Sequence, residues 1–240
     1  MITSTNNNTI KTLIKLKQKK YRNQFGYYLI EGEHLVNEAL KANQVECIIT
    51  TKPLKSNLEA IEVSEEVMAK LAFTKSPSNI MAKCKIDSNN ELMMKKRYLI
   101  LDDLQDPGNI GTLIRSALAF GIDQVILSKN CVDLYNDKLL RAMQGANFHI
   151  SCIYGDLTEI IEKLQANGVV VVGSALENGQ DISLIEKTEK MAFIVGNEGN
   201  GMNQNILDKC DYIGYIPIQT IESLNVAIAG SILMYHFSNW

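Results

Sequence analysis

Six short apolar runs recur between residues 98 and 218, and they scarcely alternate with polar residues. They read YLIL from Tyr98, QVIL from Gln124, HISCIY from His149, VVVVGSA from Val169, MAFIVG from Met191 and YIGYIPI from Tyr212. A strand with one face in water alternates apolar and polar side chains, whereas a strand apolar on both sides must be covered on both. Segments of helical spacing lie between the runs, among them NDKLLRAMQGA, LTEIIEKLQANG and NQNILDKC. Buried strands alternating with helices predict a mostly parallel sheet with helices on both faces, an α/β class. In such sheets ligands bind beyond the carboxyl ends of the strands, so chemistry is expected in the segments that leave them.

The first ninety residues read differently. TIKTLIKLKQKKY has helical spacing, YYLIEG reads as a strand and EHLVNEALKAN as a helix; VECIIT, SEEVMAKLA and NIMAKCKI then give strand, helix and strand. This predicts a small α/β domain over 1–90, a polar linker over 91–97, and the sheet domain over 98–240. The whole chain carries a net charge of −3, yet residues 1–30 hold Lys11, Lys15, Lys17, Lys19, Lys20 and Arg22 and no acid. Such a run is either the solvated face of a helix or a local phosphate-binding patch, and charge alone does not choose. On the second reading Lys15, Lys17, Lys19, Lys20 and Arg22 contact RNA.

Several classes are set aside by what the chain lacks. No apolar run approaches the roughly 20 residues that span a bilayer, and the first residues do not follow the order of a secretion signal. The five cysteines are scattered and never spaced CxxC, and His34, His149 and His236 are dispersed, so neither a disulfide framework nor a metal site is expected. The reading is a protein of the reducing cytoplasm.

Three segments break the regular pattern. In LDDLQDPGNIGTLIRSALAFG, Asp102, Asp103 and Asp106 precede a Pro-Gly turn, Asn109 is placed to cap a helix, and Arg115 is that helix's only charge. Arg115 falls at the flank of the apolar stripe, where it either reaches the mouth of the sheet or pairs with one of the three aspartates. In FIVGNEGNGM a strand runs into Gly196, Gly199 and Gly201, with Glu198 where a dinucleotide fingerprint needs its second glycine. A nucleotide-dependent oxidoreductase is disfavoured for that reason, as it is by DPGNIG after the first strand. In IPIQTIESLNVAIAGS a helix from about Glu222 is apolar over most of its circumference, with Ser223 and Asn225 in its first turn.

Together these segments resemble motifs 1, 2 and 3 of the SpoU (TrmH-like) ribose methyltransferases of the SPOUT superfamily, over the whole of residues 98–240. The matching residues are Asn109 and Arg115, then Gly196, Glu198 and Gly201, then Ile216, Pro217, Ser223, Leu224 and Asn225. Between Ile218 and Ser223 the chain has QTIE, where the family more usually has one residue more and a glycine. Residues 10–86, chiefly YLIEGEHLVNEAL, resemble the L30e-like substrate-binding domain often found in front.

The resemblance implies a C-terminal parallel-sheet SPOUT domain with a trefoil knot, preceded by a small L30e-like α/β domain. It implies S-adenosylmethionine as cofactor, held by Gly196, Gly201, Ile216, Ile218, Leu224 and Asn225, and a ribose 2′-hydroxyl of RNA as methyl acceptor. Arg115, Asn109, Glu198, Ser223 and Asn225 are the implied catalytic group, with Arg115 clamping a phosphate or stabilising the forming alkoxide. A homodimer through the C-terminal domain is implied, its interface formed by the helix after Ser223, with Ala227, Gly230 and Ser231 permitting close approach. The ribosomal type of the N-terminal domain favours ribosomal RNA; a transfer-RNA ribose, or an RNA base, stays open as the alternative.

Overall fold

The computed structural model describes residues 1–220 and 223–238. Its contacts divide the chain into two compact units, one of residues 1–88 with 133–148 and one of residues 89–132 with 149–240.

The N-terminal unit is built on a four-stranded sheet ordered β1 (Tyr27–Glu31), β4 (Ile80–Lys85), β2 (Val45–Thr50) and β3 (Ala60–Glu62). The first two pairings are antiparallel and β2–β3 is parallel. On one face pack α1 (Asn8–Lys15) and α4 (Glu65–Leu71), closing a core of Ile10, Leu13, Leu16, Leu29, Ile49, Val67 and Met81. The helix α3 (Glu33–Lys41) also packs on this sheet.

The single helix predicted over TIKTLIKLKQKKY is two, α1 and α2 (Lys19–Phe25). The break leaves carbonyls at the end of α1 without partners in the helix, and the Arg22 guanidinium supplies them: it donates to Leu16 O at 3.1 Å and to Lys17 O at 2.9 Å. Its other nitrogen pairs with Asp133, in an ion pair largely out of solvent. That pair helps hold the segment 133–148 to this unit, along with Tyr28 against Tyr135, ring centroids 4.5 Å apart. The segment includes α6 (Asp137–Met143), which sequence alternation assigned to the C-terminal domain. Helical periodicity shows that α6 buries a face; it does not say against which sheet.

The second unit is a seven-stranded parallel sheet ordered β7, β6, β5, β10, β8, β11, β9. Here β5 is Arg97–Leu101, β6 Gln124–Ser128, β7 Ser151–Gly155, β8 Val170–Ser174, β9 Gln180–Asp181, β10 Met191–Val195 and β11 Tyr212–Tyr215. Strand β10 is buried along its whole length, as its unbroken apolar run requires, and β6 is buried throughout, including its terminal Gln124 and Ser128. The helices are α5 (Pro107–Ala119), α7 (Leu157–Ala166), α8 (Gln204–Leu207) and α9 (Val226–Phe237). The chain builds outward from β5 through β6 to β7, then returns to the other side, where β10 inserts between β5 and β8. The direction of winding therefore reverses between β5 and β10, and the crevice beyond such a reversal is where ligands sit in open α/β sheets.

Helix α9 packs on α5 and β10. Its buried face is Ala227, Gly230, Leu233, Met234 and Phe237, and each fully buried Leu, Met or Phe contributes roughly 1.5–3 kcal/mol. A Cβ on Gly230 would collide with the Leu113 side chain of α5, and Ser231 Oγ donates to Ser116 Oγ at 2.8 Å. The small residues expected to serve a second chain are thus used inside this one, between α5 and α9. The expected helix start near Glu222 falls on residues 221–222, outside the described residues; the observed α9 begins at Val226 with Asn225 as its cap.

Candidate active site at the strand reversal

The turn after β5 decides where the first motif points. Asp106, not Asn109, caps α5: its carboxylate accepts from Asn109 N at 2.8 Å, and Pro107 occupies the first helical position. Asn109 therefore lies in the first turn with its amide free. That amide donates through Nδ2 to Glu198 Oε1 at 3.1 Å and accepts through Oδ1 from Asn225 Nδ2 at 2.9 Å. Glu198 also accepts from the backbone N–H groups of Gln105 and Asp106, at 3.5 and 3.3 Å. Asn225 uses its own Oδ1 to cap α9, accepting from Ala227 N at 2.9 Å and Ile228 N at 3.3 Å. The direction of the relay is dictated at both ends. An ionised carboxylate can only accept, and an asparagine oxygen engaged with a helix N-terminus leaves its amide to donate outward. One hydrogen-bonded line, Asn225 to Asn109 to Glu198, joins three motifs that lie up to 116 residues apart.

The loop carrying Glu198 is itself held. Asn197 and Gly201 exchange backbone hydrogen bonds, each at 2.9 Å. Asn197 Nδ2 donates to Asp103 O at 2.8 Å, and its Oδ1 accepts from Gly199 N at 2.9 Å. A Cβ on Gly196 would strike the Gly201–Met202 backbone, so this glycine first of all lets the loop fold back on its own strand.

The aspartates that could have neutralised Arg115 are engaged elsewhere. Asp102 is buried and accepts from Asn203 N at 2.7 Å and Asn203 Nδ2 at 2.8 Å, fixing the loop before α8 to the end of β5. Asp103 accepts from Ser128 Oγ and Asn130 Nδ2. Partial burial raises its carboxyl, but these hydrogen bonds outweigh that and hold it below the usual carboxylate range. Asp106 is the α5 cap. Arg115 is exposed and makes no hydrogen bond or ion pair among the described residues.

A cleft of about 870 Å³ opens beside the relay, within the usual range for a small-molecule site. Asn109, Gly196, Glu198, Gly201, Ile216, Ile218, Ser223, Leu224 and Asn225 line it; Arg115 does not. Ile216 and Ile218 after β11, and Ser223 to Asn225 before α9, wall the same space as the loop after β10. Glu177 and Asn178, in the loop after β8, also line the cleft. Sequence reading missed them, since SALENG looks like any polar loop that leaves a strand.

The basic candidates divide. Lys15, Lys19 and Lys20 are exposed. Lys17 donates to Lys70 O at 2.9 Å and Ala72 O at 2.7 Å, closing the end of α4, and burial lowers its pKa. Arg22 is buried in the pairing described above. Of the expected RNA contacts, Lys17 and Arg22 are thus engaged by the unit's own carbonyls and by Asp133. Among the described residues, no group of three or more His, Cys, Asp or Glu side chains could hold a metal ion, and no helix is long and apolar enough to cross a membrane.

Residues 96–235 match the SpoU rRNA Methylase family, and residues 7–82 match the MRM3-like substrate binding domain. The chain belongs to the SpoU rRNA methylase family. Among its SpoU relatives is the Bacillus subtilis 23S rRNA (guanosine(2553)-2′-O)-methyltransferase RlmP, 40% identical with 98% of each chain covered. Two solved SpoU-type structures resemble it over nearly its whole length. A putative RNA methyltransferase of the TrmH family from Porphyromonas gingivalis superposes with a TM-score of 0.88 at 28% identity, covering 96% of each chain. An AdoMet-bound rRNA methyltransferase from Sinorhizobium meliloti superposes with a TM-score of 0.89 at 26% identity, covering 98% of this chain and 96% of that one. The relay thus joins the three segments by which the SpoU resemblance was first read.

Proposed function

We propose that this chain is an S-adenosylmethionine-dependent methyltransferase acting on a ribose 2′-hydroxyl of ribosomal RNA, in the cytoplasm. The relay Asn225–Asn109–Glu198 carries the reading, because it locks the three motif loops around one cleft at the reversal of the sheet. The name of the Bacillus subtilis relative supports a guanosine of 23S rRNA as the acceptor. In this reading residues 1–90 are the RNA-binding domain, 91–97 the linker and 98–240 the methyltransferase domain, save that 133–148 packs with the N-terminal unit.

The cleft fits the cofactor in size and chemistry: apolar walls from Ile216, Ile218 and Leu224, small residues at Gly196 and Gly201, and polar groups at its rim. When bound, S-adenosylmethionine supplies a methyl group already activated by its sulfonium charge. The protein's own task is to position a weak nucleophile. Ser223, exposed at the cleft wall, and Asn109 orient the ribose. Glu198 holds Asn109 in one orientation. Arg115, without a partner among the described residues, clamps the phosphate beside the target and stabilises negative charge developing on the 2′-oxygen. Stabilising that charge is an electrostatic role and needs no proton transfer.

The chain acts as a homodimer in this reading. Ile228 and Tyr235 on the outer face of α9 are 50% and 61% exposed, and Leu118 of α5 is 38% exposed, a patch that a second copy would cover. The insertion of β10 between β5 and β8, with the chain returning across the reversal, supports a trefoil knot in this unit.

Ribose-methylation mapping of ribosomal RNA from cells with and without the gene tests the activity, joined to calorimetry with S-adenosylmethionine and NAD. Loss of one 2′-O-methyl and binding of the adenosyl compound are expected; an unchanged map together with NAD binding alone overturns the reading. A lost methyl on transfer RNA or on a base would move the substrate. Light scattering should give twice the 26.8 kDa chain mass, and Ile228→Glu should halve it. An active wild-type monomer overturns the dimer.

A further inference from the structure

Two of the exposed lysines on the N-terminal unit lie over one aromatic ring. Lys15 Nζ lies 5.6 Å from the centroid of Tyr21 and Lys20 Nζ lies 5.8 Å from it. Tyr21 is half-buried and stacks on Phe25, one helical turn along, with centroids 5.9 Å apart and rings 21° from parallel. Neither lysine makes a hydrogen bond or ion pair among the described residues, and residues 1–30 contain no acid. The two other cation–π contacts among the described residues, Lys17 on Phe73 and Lys83 on Tyr27, belong to this unit as well. Lys17 is different in kind, since its ammonium is tied to carbonyls. What remains is a ring stacked on Phe25, with two exposed lysines whose ammonium groups lie over it and make no hydrogen bond or ion pair among the described residues.

A solvated face would explain the lysines but not their placement about a ring. An acidic peptide would satisfy the charges and leave the ring unused. Duplex RNA offers phosphates but keeps its base faces inside the helix stack. An unpaired nucleotide satisfies both features, its base on the ring and its flanking phosphates on the lysines. We infer that Tyr21, with Lys15 and Lys20 beside it, is a stacking platform for an unpaired base of the RNA that this chain binds. This rests on the RNA methyltransferase reading and adds to it a site outside the cleft, where the RNA is held rather than modified. It commits the N-terminal unit to looped or single-stranded RNA.

The test uses the full chain and two hairpin RNAs of equal charge, one with a six-nucleotide loop of mixed sequence and one whose loop is abasic. Binding is followed by fluorescence anisotropy over a sodium chloride series. The wild-type chain should prefer the loop that carries bases. Stacking contributes about 1–3 kcal/mol per base, so Tyr21→Ala should weaken binding to that loop roughly 5- to 150-fold and leave the abasic hairpin almost unaffected. Tyr21→Phe should bind as the wild type. Tyr21→Leu, which keeps an apolar contact on Phe25, should lose the preference as the alanine does and so separates stacking from folding. Replacing Lys15 and Lys20 with glutamine should lower the slope of log K against log salt by about 1.4 on either RNA, at about 0.7 per phosphate contact. A wild-type chain that does not discriminate the two hairpins, or a Tyr21→Leu loss equal on both, overturns the stacking site while the methylation map stands untouched. A wild-type chain that binds neither hairpin overturns it together with RNA binding by this unit.

Discussion

Residues 1–30 of the N-terminal unit hold six cations and no acid, and the first two motif segments of the second unit hold Arg115 with Asp102, Asp103, Asp106 and Glu198. In the first place the surplus cations divide: Arg22 and Lys17 satisfy carbonyls and a carboxylate, while Lys15, Lys19 and Lys20 stay in solvent. In the second the carboxylates are the ones consumed. Asp102 holds Asn203, Asp103 holds Ser128 and Asn130, Asp106 caps α5 and Glu198 holds Asn109, and Arg115 has no partner among the described residues. A charge is free to meet a substrate only when the fold has not already employed it. A charge that the fold leaves unemployed is therefore a stronger functional sign than charge density.

The comparison breaks most visibly at Arg22. Arg22→Ala removes one partner of a pair whose side chains are 8% and 16% exposed, so urea unfolding should show a loss of about 3–5 kcal/mol. An unchanged midpoint would return Arg22 to the solvated surface. Arg115→Ala should do the opposite: a stability change within about 0.5 kcal/mol, cofactor binding intact, and turnover on ribosomal RNA lowered on the order of 100-fold or more. Near wild-type turnover would reduce Arg115 to an ordinary surface residue.

Glu31 supplies a third contrast, an acid employed in the basic unit. It accepts from Phe73 N at 2.7 Å, Ser78 N at 3.1 Å and the Thr74 hydroxyl at 2.6 Å. Burial raises its carboxyl, but these hydrogen bonds outweigh burial and hold it below its ordinary value. A depressed folded pKa stabilises above the unfolded value of about 4.3, and the gain is lost as pH falls through that value and then through the folded one. Glu31→Gln should cost about 1–3 kcal/mol at pH 7, and its melting temperature should fall less than the wild type's below about pH 4.3. Parallel acid melting curves would remove Glu31 from the account. The smallest effect belongs to Lys19→Gln, exposed on α2, which should leave stability within about 0.5 kcal/mol in the same urea series. A larger loss would mean that Lys19, like Lys17, is employed by the fold.

Much of the second unit was legible beforehand. A run such as MAFIVG cannot tolerate water on either face, so a covered parallel sheet follows from its composition, and β10 is buried throughout. The motif residues were likewise visible, because Asn109, Glu198 and Asn225 break the pattern around them, and all three line the cleft. The cap of α5 lies one turn earlier than the sequence suggests: Asn109 and Asp106 are both good caps, and Pro107 at the first helical position selects Asp106.

What local pattern determined, then, was which residues are buried, which elements they form and where the rhythm is interrupted, because periodicities of two and 3.6 are properties of neighbouring residues. Partnership was decided by the tertiary structure. Arg22 meets Asp133 at a separation of 111 residues and Lys17 meets Ala72 at 55. Gly230 makes room for Leu113 inside the chain, and α6 joins the N-terminal unit although its spacing would suit either. A charge, a small side chain or an apolar helix face states only what kind of neighbour it requires. Which segment supplies that neighbour is settled when the whole chain competes to bury its apolar surface at least cost to its polar groups.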